Sequence, residues 1–238
     1  MKHAIPFIII ALGAISGCAP VYHPNVRNAP LFQGAGEFQG SVHFGNGIDF
    51  QGAVSVSDHI GLMANYSFTN RTSTTDEDQY VKHNLFEGGL GYYENSSRIC
   101  YEFFAGYGTG EGTAYDNYDF ISGSSTLRAT GKYRRIFFQP SIGSNSRIFN
   151  WGFSARFSLV DFLSFEQDGL VYEPNHNNLY LFFEPAFVGK LYFGKSGIFT
   201  NFQAGFNLPA QGDPYFEYNA FHMSIGFGFR VGGTPASE

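Results

Sequence analysis

The chain has 238 residues, with 14 Lys and Arg against 20 Asp and Glu, and a formal net charge of −6. This acidic balance, without a basic stripe to neutralise phosphates, excludes nucleic acid as the main partner. The 28 Phe, 15 Tyr and 30 Gly are unusual for a soluble core, which relies more on Leu, Ile and Val. Aromatic excess beside many polar residues is typical of strands with one apolar and one polar face.

Residues 1–17 have the layout of a secretory signal. Lys2 and His3 form a basic start, and Ala4 to Ala14 form an apolar run too short for a permanent transmembrane helix. Ile15-Ser16-Gly17-Cys18 resembles the lipobox of bacterial lipoprotein precursors. The resemblance implies removal of residues 1–17 and attachment of diacylglycerol and a further acyl chain, such as palmitate, at Cys18.

Residues 18–36 contain three prolines and show no hydrophobic period, which predicts a lipid-anchored tether. Once Cys18 carries the lipid, Cys100 has no intramolecular partner, so no disulfide is expected.

From Glu37 to Val231 the chain alternates between apolar and polar residues, which predicts β-strands. In the clearest case Phe149, Trp151 and Phe153 share one face, while Asn150 and Gly152 share the other. Ten strands are predicted: 37–44, 48–56, 60–68, 82–93, 98–107, 130–143, 147–160, 179–193, 197–207 and 217–231.

The predicted connections alternate in length, as they do in transmembrane barrels with short periplasmic turns and long outer loops. The long loops are 69–81, 108–129, 161–178 and 208–216, and the exception is the short turn 45–47. No stretch after residue 18 could span a membrane as a helix, so a spanning chain must close into a barrel. We therefore predict an all-β, antiparallel up-and-down transmembrane β-barrel over 37–231, followed by a C-terminal tail, 232–238.

This pattern resembles the small outer-membrane β-barrel proteins of Gram-negative bacteria, the opacity-type and related barrels. The resemblance implies an outer-membrane location with outer-membrane lipids as partners. An even strand count would place both termini on the periplasmic side, with the lipid of Cys18 in the inner leaflet.

A set of charged residues is predicted to face the lumen and to form a charge network. A packed polar core is the favoured interpretation, because a ten-stranded barrel is narrow enough for side chains to fill. The alternative is a selectivity constriction of a channel. The set comprises Glu87, Glu102, Arg135, Arg156, Glu184, Lys190 and His222.

Four basic residues, Lys82, Arg128, Lys132 and Arg134, fall at the predicted outer rim. They could meet lipopolysaccharide phosphates, or they could snorkel at the rim without a specific ligand.

His222 and Ser224 share a strand face, and deacylating outer-membrane barrels use a similar His-x-Ser pair. The Asn that usually follows is replaced here by Ile225, and the pair would face the lumen, so we do not expect an enzyme. No motif for a cofactor or a metal was found.

The sequence thus favours an outer-membrane β-barrel lipoprotein with a structural or surface-interaction role. The first alternative is a narrow channel or transporter, and the second is a periplasmic soluble β-barrel lipoprotein. The apolar outward face distinguishes the soluble alternative from the two membrane-spanning ones, because a soluble protein would bury that face. The sequence names no protein partner.

Overall fold

The structure is a computed structural model that describes residues 20–72, 79–96, 98–119, 124–172, 179–194, 196–211 and 214–233. Cys18, the signal segment 1–17 and the last five residues of the predicted tail lie outside this range. Among the described residues, no helix has the length and apolar character needed to cross a membrane.

Antiparallel strands form the whole wall of the molecule. In the described parts of the chain they are β1 (Phe38–Phe44), β2 (Ile48–Ser55), β3 (Ile60–Thr72), β4 (Tyr80–Asn95), β5 (Ile99–Asp119), β6 (Ser124–Ser144), β7 (Phe149–Gln167), β8 (Leu170–Tyr172), β9 (Leu179–Tyr192), β10 (Ile198–Phe206), β11 (Leu208–Pro209) and β12 (Phe221–Val231).

The sheet closes on itself. β12 pairs with β1 from Phe38↔Val231 to Phe44↔Ile225, and β7 pairs directly with β9, from Phe149↔Leu191 to Asp161↔Leu179. β8 folds back on β7, and β11 extends the pairing of β9. The predicted all-β antiparallel barrel of ten strands is therefore confirmed over the described chain.

The barrel has two unlike ends. The turn end carries the connections 56–59, 96–98, 145–148 and 193–197, together with the start of β1 and the end of β12. The loop end carries the turn 45–47, the described part of 207–220 apart from the short strand β11, and the ends of β3, β5 and β8, beyond which the chain leaves the described residues. The predicted alternation holds only in part, because residues 120–123 alone separate β5 from β6, where a long loop 108–129 was predicted.

The strands β5 and β6 continue far beyond their predicted bounds, so most of the predicted loop 108–129 is a two-stranded extension of the wall. Its outward positions are polar, for example Thr109 and Thr113, each paired across the ladder with Arg134 or Thr130. The apolar alternation therefore stops while the hydrogen-bonded ladder goes on.

The largest difference from the sequence analysis concerns residues 20–36, hereafter the inner segment. They were predicted to be a tether outside the barrel, whereas residues 20–33 are buried within the lumen. The inner segment starts at the loop end, where the amide of Val21 donates to the carbonyl of Glu217. It reaches the turn end, where Ser55 donates to the carbonyl of Gly34, and continues into β1.

Candidate functional site: the filled lumen

Side chains of the wall satisfy the backbone of the inner segment. Gln203 both accepts from the amide of Arg27 (2.6 Å) and donates to its carbonyl (2.9 Å), as a neighbouring strand would do. Gln51 donates to the carbonyl of Val26 (2.8 Å), and Asp49 accepts from its amide (3.2 Å). A buried backbone needs such partners, so the polar inward face of the wall is what allows an irregular segment to lie there.

An ion-pair cluster occupies the middle of the lumen. Glu87 of β4 accepts from the Nε atom of Arg135 (3.1 Å), and its Oε1 atom lies 3.3 Å from Nη1 of Arg156. Asn25 of the inner segment donates to Glu87 (2.8 Å) and accepts from Arg156 (2.9 Å). All three charged side chains are fully buried, and each is compensated by an opposite charge and by hydrogen bonds, as buried charges require.

A second cluster surrounds Glu184 of β9. Its carboxylate accepts from the hydroxyl of Tyr22 (2.9 Å) and lies 3.4 Å from Nη2 of Arg27. Arg135 donates to the same tyrosine hydroxyl (3.1 Å), which joins the two clusters. The inner segment therefore contributes the guanidinium of Arg27 and the hydroxyl of Tyr22 to the surroundings of Glu184.

Two further predicted lumen residues hold the inner segment near the turn end. Glu102 accepts from the amide of Phe32 (2.9 Å). Lys190 donates to the carbonyl of Pro30 (2.9 Å) and to Gln39 of β1 (2.8 Å). Both residues therefore bind backbone groups of the inner segment, and Lys190 also binds a side chain of the wall.

The remaining predicted residue, His222, is buried, and its Nε2 atom lies 3.1 Å from Gln203. Its neighbour on the same face, Ser224, has its hydroxyl 3.5 Å from Nδ1 of His43. The structure thus brings together Glu87, Arg135 and Arg156, links Glu184 to them through Tyr22, and places His222 against the side-chain amide of Gln203.

The sequence analysis missed Tyr22, Asn25 and Arg27, because it assigned them to a tether. A signal was present in the wall glycines. A Cβ added at Gly143 would meet Leu31 at 2.6 Å, and one at Gly61 would meet Phe32 at the same distance. Glycines inside strands often mark the close approach of another backbone, so a row of inward glycines indicates a filled lumen.

We expect Gly112→Ala to destabilise the barrel, because the added Cβ would collide with the backbone carbonyl of Val21. Overpacking of this kind costs about 1–3 kcal/mol. The matched control is Gly52→Ala on β2, where the nearest atom, the carbonyl oxygen of Ala64, is 3.8 Å away. The midpoint of the heat-induced gel-mobility shift in detergent measures both, and equal midpoints would contradict a tightly packed inner segment.

The outward face of the wall is apolar and aromatic. On β7 the outward residues from Phe149 to Leu159 are exposed except Ala155, which is half-buried. At about 3.3 Å per residue this stretch is about 33 Å long, or about 25 Å high at a tilt of about 40°. That height equals the apolar band of outer-membrane-type barrels. Further exposed members of this apolar band are Phe50, Phe86, Phe103, Phe138, Phe202 and Phe227.

The four predicted rim residues lie on the outward face of β4 and β6, on the loop-end side of the apolar band. Lys82, Arg128, Lys132 and Arg134 are all exposed. Arg134 forms an ion pair with Asp161 (2.8 Å), and the ammonium of Lys82 lies 5.2 Å from the ring centroid of Tyr80. The strands place these side chains in one polar belt, together with at least one acidic partner.

Aromatic rings cover the lumen at the loop end. Phe216 packs against Phe162 with ring centroids 4.5 Å apart, and Tyr215 contacts Phe165 at 5.0 Å. Burial, with a smaller contribution from the nearby Tyr180, raises the pKa of Tyr215 to about 12. The cluster packs over Val21 and Tyr22 and so covers the start of the inner segment at this end of the lumen.

No protein-family model matches the chain, and no curated protein sequence matches it. Ten chains of solved structures match. One of them is the translocator domain of the autotransporter NalP from Neisseria meningitidis, with 10% identity, coverage of 96% of each chain and a TM-score of 0.47. The fold assignment given above depends on the strand pairing of this chain itself.

Proposed function

We propose that this chain is an outer-membrane β-barrel lipoprotein with a structural or surface-interaction role, whose lumen is closed by its own inner segment. The observation that carries the proposal is the course of that segment. Tyr22, Arg27 and Phe32 are all fully buried or nearly so, at successive levels of the lumen. A barrel filled in this way offers its outer loops, rather than a pore, for interaction.

The outward face supports a membrane location. Phe86, Ile136 and Phe227 are 57%, 61% and 55% exposed, and they belong to a continuous apolar band around the wall. Soluble monomers rarely expose contiguous apolar patches above a few hundred Å². Such an apolar surface is stable in contact with lipid hydrocarbon and unfavourable in water. This disfavours the alternative of a soluble periplasmic protein.

The filling of the lumen favours a closed barrel rather than an open channel. Beside the inner segment, a cavity lined by Arg27, Gln39, His43 and Lys190 has a volume of about 10 Å³, enough for about one water molecule. The hydrogen bonds from the wall described above hold the segment in place. The channel alternative therefore requires the segment to leave the lumen.

We expect the purified wild-type protein to show little conductance in planar bilayers, because the inner segment blocks the lumen. Deletion of residues 21–33 should produce steady currents, since the wall left behind is lined by polar and charged side chains. Lys132→Ala, an exposed change on the rim, serves as the matched control and should stay silent. Folding of each variant is checked by its heat-induced gel-mobility shift.

Large, steady currents from the wild-type protein would favour the channel or transporter alternative. If the deletion variant does not fold, Asn25→Ala combined with Arg27→Ala keeps the segment and removes its side-chain contacts. We expect brief openings from this variant, and silence equal to wild type would count against the blocking role.

The proposed surface role involves the rim. Lys82, Arg128, Lys132 and Arg134 would lie at headgroup level if the apolar band spans the hydrocarbon, where cationic side chains can bind lipopolysaccharide phosphates. Arg134 is already paired with Asp161, so Lys82 and Lys132 are the better phosphate ligands.

Lipid attachment at Cys18 is part of the proposal. We expect Cys18→Ala to abolish incorporation of radiolabelled palmitate and to leave an unprocessed precursor of lower gel mobility. Cys100→Ala is the control, because Cys100 is buried and its Sγ atom lies 3.4 Å from the carbonyl of Phe32. Unchanged labelling of the Cys18 variant would rule out the lipobox assignment.

A further inference from the structure

We infer that the chain passes through its own barrel from the loop end, so that the new N-terminus left by removal of residues 1–17, Cys18 with its acyl chains, lies on the cell surface. This inference rests on the proposed function, in which the loop end faces outward and Cys18 is lipidated. It replaces the expectation that both termini are periplasmic, and it assigns the acyl chains to the outer leaflet.

The direction of the inner segment is read from its contacts along β4, which runs from the loop end to the turn end. The ring of His23 lies 5.2 Å from that of His83, Asn25 bonds Glu87, and the carbonyl of Gln33 accepts from Asn95. Residue numbers of the contact partners therefore increase together in the inner segment and in β4. The segment therefore runs parallel to β4, from the loop end downward.

The distance covered matches a membrane crossing. From His83 to Asn95, β4 rises by about 40 Å at about 3.3 Å per residue, or about 30 Å at a tilt of about 40°. The hydrocarbon core of a bilayer is about 30 Å thick. The inner segment thus crosses the full apolar thickness inside the wall.

The start of the segment is fixed at the loop end. Tyr22 forms a parallel bridge with Tyr218, and the amide of Asn219 donates to the carbonyl of Tyr22 (3.0 Å). Two residues span at most about 7 Å, so Cys18 cannot reach the turn end from Pro20. A lipid on Cys18 is confined to the side of the membrane that the long loops occupy.

The test uses the full-length protein in its own outer membrane, with a protease site and an epitope inserted between Ala19 and Pro20. Two companion proteins carry the same insert elsewhere. In one it follows Tyr172, at the loop end, and in the other it follows Gly233, at the turn end. Antibody binding is measured on intact and on permeabilised cells. Heat-induced gel-mobility shifts establish that each tagged barrel is folded.

We expect the tags after Ala19 and Tyr172 to bind antibody fully on intact cells, and the tag after Gly233 to bind only after permeabilisation. Protease added to intact cells carrying the first insert should separate the palmitate label from the barrel. The same insert, in a Cys18→Ala protein whose residues 1–17 are exchanged for an ordinary cleavable secretory signal, should remain accessible without any label, because threading does not depend on the lipid.

Protection of the tag after Ala19, with the Tyr172 tag exposed and the Gly233 tag protected, would overturn the inference and leave the proposed function standing. An exposed Gly233 tag with a protected Tyr172 tag would overturn the orientation in the proposed function instead. If the first tagged barrel fails to fold, a single Ala19→Cys change with a membrane-impermeant thiol reagent gives the same reading, because the thiol of Cys18 carries the lipid and Cys100 is buried.

Discussion

Replacing Glu87 by Leu should be the most damaging single change in the barrel, lowering the free energy of unfolding by about 3–5 kcal/mol. Glu87 neutralises both Arg135 and Arg156, and all three side chains are fully buried. Without the carboxylate, two guanidinium groups remain in a confined space, and Asn25 loses its acceptor. We expect a large drop in the midpoint of the heat-induced gel-mobility shift.

The control is Glu111→Leu on the neighbouring strand. Glu111 is exposed on the outward face, where it accepts a hydrogen bond from Asn84 (2.9 Å). An exposed change of this kind alters stability by about 0.5 kcal/mol or less. Equal midpoints for the two variants would show that the buried cluster does not stabilise the barrel.

Arginine at the centre of the apolar band should also impair the protein strongly. Phe153 is 45% exposed on the outward face of β7. A lipid-facing arginine near the bilayer midplane costs about 2–4 kcal/mol. We expect Phe153→Arg to reduce the amount of folded barrel in the outer membrane and to lower its unfolding midpoint in lipid vesicles.

Thr130→Arg provides the matched comparison, because Thr130 is exposed on the outward face of β6 but lies in the polar belt above the apolar band. At interfacial depth an added arginine costs about 0–1 kcal/mol. If both variants assembled equally well, we would conclude that the outward face does not contact lipid. That result would contradict the proposed membrane location.

The wall could be predicted from the sequence because its signal is local. Alternation at a period of two put Phe149, Trp151 and Phe153 outward and Asn150 and Gly152 inward, as the structure has them. The same logic failed at the loop ends of β5 and β6, within the predicted loop 108–129, where outward residues such as Thr109 and Thr113 are polar. Apolar alternation reports the lipid-facing part of a strand and not its full length.

The inner segment could not be predicted in this way, because its contacts are long-range and its backbone is irregular. Tyr22 and Glu184 are 162 positions apart, and Arg27 and Gln203 are 176 apart. No period relates such partners. The lumen charges could be identified as inward-facing, but their partners in the inner segment carried no motif of their own.

The buried inner segment also sets the order in which the molecule can be assembled. Residues 20–36 leave the ribosome before any strand, yet their partners extend to Asn219, close to the last strand. Because β1 and β12 complete the ring, the ring cannot close empty and then be filled without passing the chain through a finished cylinder. In the simplest order of folding, the strands assemble around the inner segment, and β1 pairs with β12 last. Folding should therefore be slow, since its final step joins the two most distant parts of the chain.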